Sequence, residues 1–322
     1  MKAIQIATAG GPEVLKLAEL PDPQAVAGEA VVKIHCAGLN YIDIYQRKGV
    51  YPKKLPYIPG LEASGVVESI APDVTTVQVG DRVAYSSQPG AYAEKCAVTA
   101  DSLVKLPDDV TFEQGAAYPL QGMTAHYLLH EFHNINTGDI VVIHAAAGGM
   151  GLLLTQWAKH LGARVIGTTS TEEKALIAKD AGADNVIVYT QEDWVEMVDR
   201  LTAGAGADVI IDGVGKTTFP GDLLAAKVRG KIVIFGSASG PADPIGPNEL
   251  QKRSITVCGG SLFNYLLTRE ELEMRANAVL TAVRAGWLKL RIEHAFPLAE
   301  AAQAHELLES RKSVGKIILR VS

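Results

Sequence analysis

Cysteine is nearly absent from this chain: Cys36, Cys96 and Cys258 stand far apart and form no CxxC pair. So sparse and odd a set excludes a disulfide framework and fits a reducing compartment. Long apolar runs are missing too, since no stretch reaches the roughly 18 residues that a membrane helix needs. The start, Met1-Lys2-Ala3-Ile4-Gln5-Ile6, alternates like an edge strand. A signal peptide would show a basic segment and then an apolar run. Positive charge is not in excess, with 36 acidic against 30 basic side chains and a net charge of −6. That balance argues against nucleic acid or an anionic membrane as the main partner. Repeats, low-complexity tracts and linkers are lacking as well. What remains is a cytoplasmic globular protein whose 322 residues suit roughly two domains. One local exception is the basic group Arg47, Lys48, Lys53 and Lys54. It reads as a solvated loop, with a positive rim around an anionic ligand as the alternative.

Two textures divide the chain. Up to about Gly122, short alternating runs such as Ala30–Ile34 and Gly65–Ile70 are broken by turns at Pro21-Asp22-Pro23 and Pro89-Gly90. That pattern predicts an irregular β-rich domain. From about Thr137 apolar strands alternate with amphipathic helices. The strands expected are Ile140–Ile143, Arg164–Thr169, Asn185–Tyr189, Val209–Gly213, Lys231–Gly236 and Ile255–Cys258. Helices are expected at Glu172–Ala181 and Trp194–Leu201, and none is expected through Pro241-Ala242-Asp243-Pro244. The alternation predicts an α/β fold with a doubly wound parallel sheet. Beyond Phe263 come a helix from Arg269 to about Leu288, a strand ending at Pro297, a helix near Ala299–Leu308 and a last strand Lys316–Val321. These exceed what the sheet needs and are expected to return to the first domain.

The most informative segment is Gly138-Asp139-Ile140-Val141-Val142-Ile143-His144-Ala145-Ala146-Ala147-Gly148-Gly149-Met150-Gly151. An apolar strand enters a turn of small residues, and a helix comes directly after. Small residues let the backbone approach a pyrophosphate, whose charge meets the N–H groups and dipole of the helix start. The turn reads A-x-G-x-x-G, with Ala146 where the commonest dinucleotide fingerprint has glycine. Close packing alone is the rival reading of such a turn. The second strand then ends Gly167-Thr168-Thr169-Ser170-Thr171, without the carboxylate that binds the ribose 2′-hydroxyl of NAD. Hydroxyls there, and Lys174 one helical turn on, suit a 2′-phosphate, so NADPH is expected over NADH. Glu172 and Glu173 are expected to face solvent.

At this point the chain resembles the quinone oxidoreductase and zeta-crystallin branch of the medium-chain dehydrogenase/reductase superfamily. The likeness rests on His144–Gly151 followed by Gln156-Trp157-Ala158-Lys159, and on Gly10–Leu15, Gly38–Tyr45, Gly49-Val50-Tyr51, Gly80–Val83 and Gly315-Lys316. It implies a GroES-like β-rich catalytic domain over 1–122 and 264–322. A Rossmann doubly wound parallel-sheet NADPH-binding domain would cover 123–263. Residue by residue, Thr124 would contact the nicotinamide half and Ala147, Gly148, Gly149, Met150 and Gly151 the pyrophosphate. Ser170, Lys174 and Tyr189 would surround the 2′-phosphate. Phe235, Gly236 and Ser237 would close the fifth strand against the cofactor. Leu262 and Phe263 would present backbone to the carboxamide, and Lys316 would lie near the cofactor. Strand-end packing is the alternative for Tyr189 and Phe235, and simple solvation for Lys316.

The zinc alcohol dehydrogenases of the superfamily are similar as well, but their ligands are missing. Gly60-Leu61-Glu62 replaces their Gly-His-Glu, Asn40 replaces an early Cys or Ser, and the cysteine-rich lobe is absent. Without such N or S ligands tetrahedral zinc is not held. His126, His130 and His133 beside Glu131 share a helical face, where packing is expected rather than metal. A quinone needs little Lewis-acid help, being a strong electrophile. It must be aligned while negative charge on oxygen is stabilised. Asn40, Tyr45 and Tyr51 are the candidates for that work, and for each tyrosine wall packing is the rival role. The resemblance thus implies an NADPH-dependent quinone reductase. Enone or enoyl double-bond reduction is the first alternative, and a non-catalytic crystallin-like NADPH-binding protein the second. A homodimer through the edge strand 254–258 is expected.

Overall fold

The computed structural model describes residues 1–321. It divides into two compact units, Met1–Gly122 with Leu266–Leu280 and Leu290–Ser322, and Met123–Tyr265 with Thr281–Lys289.

The first unit is built on a seven-stranded sheet. Its central strand, Glu29–Leu39, pairs antiparallel with Glu62–Ile70 and with Lys316–Arg320. Arg82–Ser86, Val104–Lys105, Lys95–Thr99 and Ile292–Pro297 complete it. Apolar positions of these strands, among them Val32, Ile34, Val67, Val83, Ile317 and Leu319, form one core cluster. Two registers decide what surrounds the end of the central strand. Ile317 faces Leu39, and Ala63 faces Ala37. That end is therefore flanked by Lys316 on one side and Glu62 on the other. Immediately beyond it the chain turns into the helix Tyr41–Arg47.

The second unit holds a six-stranded parallel sheet. In spatial order the strands are Asn185–Val188, Arg164–Thr169, Ile140–Ile143, Val209–Asp212, Ala226–Ile234 and Thr256–Gly259. Runs such as Ile140-Val141-Val142-Ile143 are β-branched throughout, as strands covered on both faces require. The first strand in sequence lies third in space, so the winding reverses beside it. Ligands bind doubly wound sheets at the carboxyl ends of the strands flanking such a reversal. The expected α/β architecture is the one observed.

Details differ from expectation, and the fifth strand, expected over Lys231–Gly236, runs over Ala226–Ile234. The sixth strand is Thr256–Gly259, because Ser254 adopts a left-handed backbone (φ 54°) that a strand does not accommodate. A short helix, Pro247–Gln251, does form after the Pro-rich connection, with proline at its start where no N–H is needed. The helix from Arg269 ends at Arg284, and Gly286 comes two residues later with φ 81°. Thr281–Lys289 groups with the second unit, where Trp287 meets Trp157 edge-on at 5.5 Å and stacks on His160 at 3.9 Å.

Candidate functional site

In the second unit the strand Ile140–Ile143 runs into a turn that only small residues permit. Ala145 takes a left-handed backbone (φ 50°), and its carbonyl accepts from the Gly148 N–H at 2.9 Å. A Cβ on Gly151 would come within 2.6 Å of the Ala146 Cα. One on Gly167 would meet the Ala146 Cβ at 2.7 Å. The helix Gly149–His160 starts at once, so the N–H groups of Gly149, Met150 and Gly151 have no partner within it. Free donors, a helix dipole and no side chain in the way form a cradle that fits a pyrophosphate.

Ser170, Lys174 and Tyr189 are brought to one corner. The Tyr189 N–H donates to the Thr169 carbonyl (3.0 Å), and the Thr190 hydroxyl donates to the Ser170 carbonyl (3.0 Å). These bonds hold the ends of two paired strands together. Thr171 caps the next helix by accepting from the Lys174 N–H, which sets Lys174 in the first turn. Burial lowers the Lys174 ammonium pKa from its usual range. Tyr189 is half-exposed and just outside its strand. Phe235, Gly236 and Ser237 come after the end of the fifth strand, and the Phe235 ring lies where a Gly213 side chain would be. Leu262 is buried and Phe263 exposed on a single 3-10 turn, while Thr124 is buried in the helix Pro119–His130.

Beneath the turn lies a group that sequence reasoning did not single out. His144 shares hydrogen bonds with Asp222 Oδ1 (2.8 Å) and Thr168 Oγ1 (2.9 Å), all buried. Burial pushes the Asp222 carboxyl up to about 7, against the pull of His144. Asp212 closes the fourth strand by accepting from the Val214 N–H (2.6 Å) and the Thr218 hydroxyl (2.8 Å). These contacts fix the strand ends on which the cradle stands.

In the first unit Asn40 and Lys316 are each only 3% exposed. The Asn40 amide nitrogen donates to Glu62 Oε2 (2.8 Å), while its oxygen accepts from Lys316 Nζ (2.8 Å) and Gln121 Nε2 (3.2 Å). Lys316 Nζ also reaches Glu62 Oε2 at 2.5 Å, and Glu62 Oε1 accepts from the Leu120 N–H at 2.6 Å. Space for the carboxylate exists because Gly38 has no Cβ; one there would collide with Glu62. Lys316, expected beside the cofactor, thus has its ammonium committed to Glu62 and Asn40. Glu62 and Gln121 were not anticipated. The available signal was a charge at the first position of a strand whose next residues are small or apolar, at Glu62 and again at Lys316.

Asn40 also starts the helix Tyr41–Arg47, its N–H donating to Asp43 Oδ2 (2.9 Å). Asp43 accepts from the Tyr92 hydroxyl (3.3 Å) as well, yet burial pushes its carboxyl up to about 7. Tyr45 lies on this helix with Tyr41 tilted against it at 5.4 Å and Tyr51 edge-on at 5.3 Å. Tyr51 is 46% exposed. The structure therefore gathers Asn40, Tyr45 and Tyr51 around one short helix.

Arg47 does not belong to an exposed basic group. Its guanidinium is fully buried, bonded to the Gly10 carbonyl (3.2 Å), His305 Nδ1 (3.2 Å) and Glu309 (2.5 Å). Lys48 pairs with the same glutamate, and Lys53 and Lys54 are exposed. On the helix Pro119–His130, His126 and His130 lie 4.6 Å apart against Trp157, and His133 pairs with Asp139 (3.0 Å). No group of three or more His, Cys, Asp or Glu that could hold a metal occurs among the described residues.

Comparison with known proteins gives these sites a context. A model described as "Alcohol dehydrogenase GroES-like domain" matches residues 26–108, and one described as "Zinc-binding dehydrogenase" matches 149–278. A quinone oxidoreductase of Pseudomonas aeruginosa is 41% identical, over 99% of both chains. A 2-haloacrylate reductase of a Burkholderia species is 40% identical, over 96% of both. The Escherichia coli quinone oxidoreductase solved in complex with NADPH superposes with a TM-score of 0.97, at 38% identity and with 100% of both chains covered.

Proposed function

The chain belongs to the quinone oxidoreductase family of the medium-chain dehydrogenases/reductases, and from that membership we propose that it passes reducing equivalents from NADPH to a quinone. The observation that carries this reading is the cradle at Ala147–Gly151 together with the corner of Ser170, Lys174 and Tyr189. Ala147, Gly148, Gly149, Met150 and Gly151 would hold the pyrophosphate through backbone N–H groups. Ser170 and Lys174 would meet the 2′-phosphate, with Tyr189 covering the adenine side. Thr124, Phe235–Ser237, Leu262 and Phe263 would hold the nicotinamide half. Bound NADPH supplies the reducing equivalents.

The chain's own part is alignment and charge stabilisation. Reduction of a quinone places negative charge on a carbonyl oxygen. Asn40 offers an amide N–H there, and the rings of Tyr45 and Tyr51 can stack on a planar acceptor or donate from their hydroxyls. The site would work without zinc. Leu61 carries no donor, Glu62 Oε2 and Asn40 Oδ1 are taken up by the Lys316 ammonium, and Glu62 Oε1 by the Leu120 N–H. A cytoplasmic enzyme acting as a homodimer through Thr256–Gly259 completes the reading. Among the described residues no helix is long and apolar enough to cross a membrane.

A second reading, NADPH-dependent reduction of a conjugated double bond, is favoured by the likeness to the 2-haloacrylate reductase. Turnover of 1,4-benzoquinone and of methyl vinyl ketone, measured side by side with NADPH, separates the two. Quinone reduction faster by an order of magnitude or more is expected. Preference for the enone would replace the first reading with the second.

A further inference from the structure

The Asn40 amide is held by charge on both of its ends. Its oxygen takes donors from Lys316 and Gln121, and its nitrogen faces the Glu62 carboxylate. Turning the amide over would set N–H against an ammonium and oxygen against a carboxylate, two repulsions replacing two attractions. An amide has two N–H donors, so one remains after Glu62 is served. No described residue accepts it.

We propose that Lys316 is a positioning residue for the acceptor: its buried ammonium locks the Asn40 amide in the one orientation that leaves an N–H free for the acceptor oxygen. This rests on the reading of Asn40 as the donor to that oxygen. The energetics favour orientation over stability as the role of the pair. A buried ion pair recovers little more than the desolvation of its two charges, and apolar residues of the same volume often hold a fold better. What such a pair does supply is direction. Gln121, at 3.2 Å, is a neutral donor that cannot replace the charge, so loss of Lys316 leaves only Glu62 opposing the flipped amide.

The test uses the full chain, with NADPH and 1,4-benzoquinone. Lys316→Met removes the charge at similar length and should lower kcat roughly tenfold or more, with the KM for NADPH unchanged. It also strands the Glu62 carboxylate, so its melting temperature should fall. The double variant Glu62→Gln, Lys316→Met buries no charge and should regain the melting temperature without regaining kcat. A merely structural lysine would recover both together. In Lys316→Ala, added n-propylammonium should restore kcat saturably. Asn40→Ala separates donation from positioning. Loss of kcat in Asn40→Ala with none in Lys316→Met overturns the positioning role alone. Full kcat in Asn40→Ala overturns the assignment of Asn40, and the positioning role falls with it.

Discussion

The ammonium of Lys316 lies 2.5 Å from Glu62 Oε2, although the two residues are 254 positions apart in the chain. The same ammonium lies on Asn40 Oδ1, so a cation already occupies the oxygens at these positions. A metal ion placed there would have to displace it and would find Leu61 where a nitrogen ligand is needed. Activity should therefore survive prolonged dialysis against EDTA and 1,10-phenanthroline, and elemental analysis should find no stoichiometric zinc. Turnover lost on chelation and restored by added Zn²⁺ would refute metal independence.

Cofactor choice rests on the corner where the Tyr189 N–H meets the Thr169 carbonyl. Lys174 stands in the first turn of the adjoining helix, and no carboxylate ends the second strand. Charge reversal at this point should be felt by a 2′-phosphate and not by a 2′-hydroxyl. Lys174→Glu should raise the KM for NADPH more than about tenfold, or roughly 1.4 kcal/mol, and leave that for NADH nearly unchanged. Equal effects on the two cofactors would move the 2′-phosphate elsewhere.

Stability should fall as pH rises towards neutrality. Burial holds the Asp43 carboxyl at about 7 in the folded chain, against 3.8 as its ordinary value. Between those values the folded state keeps a proton that the unfolded state has released, so stability declines with pH across that window. Asp222, also raised to about 7, acts in the same direction. His305 opposes them. Burial and the neighbouring Arg47 lower it to about 3 from 6.5, so it contributes stability above 6.5 that is lost as pH falls. One histidine offsets only one of the two carboxyls, so a net decline remains below about pH 6.5 and steepens from there to about 7, where the carboxyls act alone. Thermal melts should show a decline that runs up to about pH 7 and levels off above it. Asp43→Asn keeps an acceptor for Asn40 and Tyr92 and should make that decline shallower. An unchanged slope in this variant would show that Asp43 does not titrate there.

Much of the nucleotide unit was legible because its strands are continuous β-branched runs with small-residue turns between them. Ile140–Ile143, Arg164–Thr169 and the helix Trp194–Leu201 fall where the pattern predicts. Periodicity failed where backbone conformation decided the outcome. Ser254 reads like the first residue of a strand, yet its left-handed backbone delays the strand to Thr256. It failed too where chain neighbours misled. Arg47 precedes Lys48 and looks like surface charge, but the helix turns it onto His305 and Glu309, 258 and 262 residues later in the chain. Asn40, Tyr45 and Tyr51 were legible as one segment. Their dependence on Lys316 and Glu62 was not, because only the registers of Ile317 on Leu39 and Ala63 on Ala37 bring those residues together.

Dimerisation is expected from the sheet order. Thr256–Gly259 is the outermost strand and pairs on one side only, with Ala226–Ile234. Its other side presents unpaired N–H and C=O groups, a liability unless something covers them. Thr256, Val257 and Cys258 include no proline and no charge to blunt that edge, while Ile255 and Val257 are anchored in the core. Pairing with the same strand of a second copy, across a two-fold axis, would satisfy the edge and continue one sheet through two subunits. Alternate N–H groups of a strand point to opposite neighbours, so either Thr256 or Val257 directs its N–H outward. Thr256→Pro and Val257→Pro should therefore differ. One removes a ladder bond to Ala226–Ile234 and lowers the melting temperature. The other keeps the melting temperature and weakens the dimer. Sedimentation velocity at micromolar concentration measures the outcome. A wild-type chain that sediments as a 34.2 kDa monomer would defeat the prediction. So would a dimer that neither proline weakens, since its interface would then lie away from this edge.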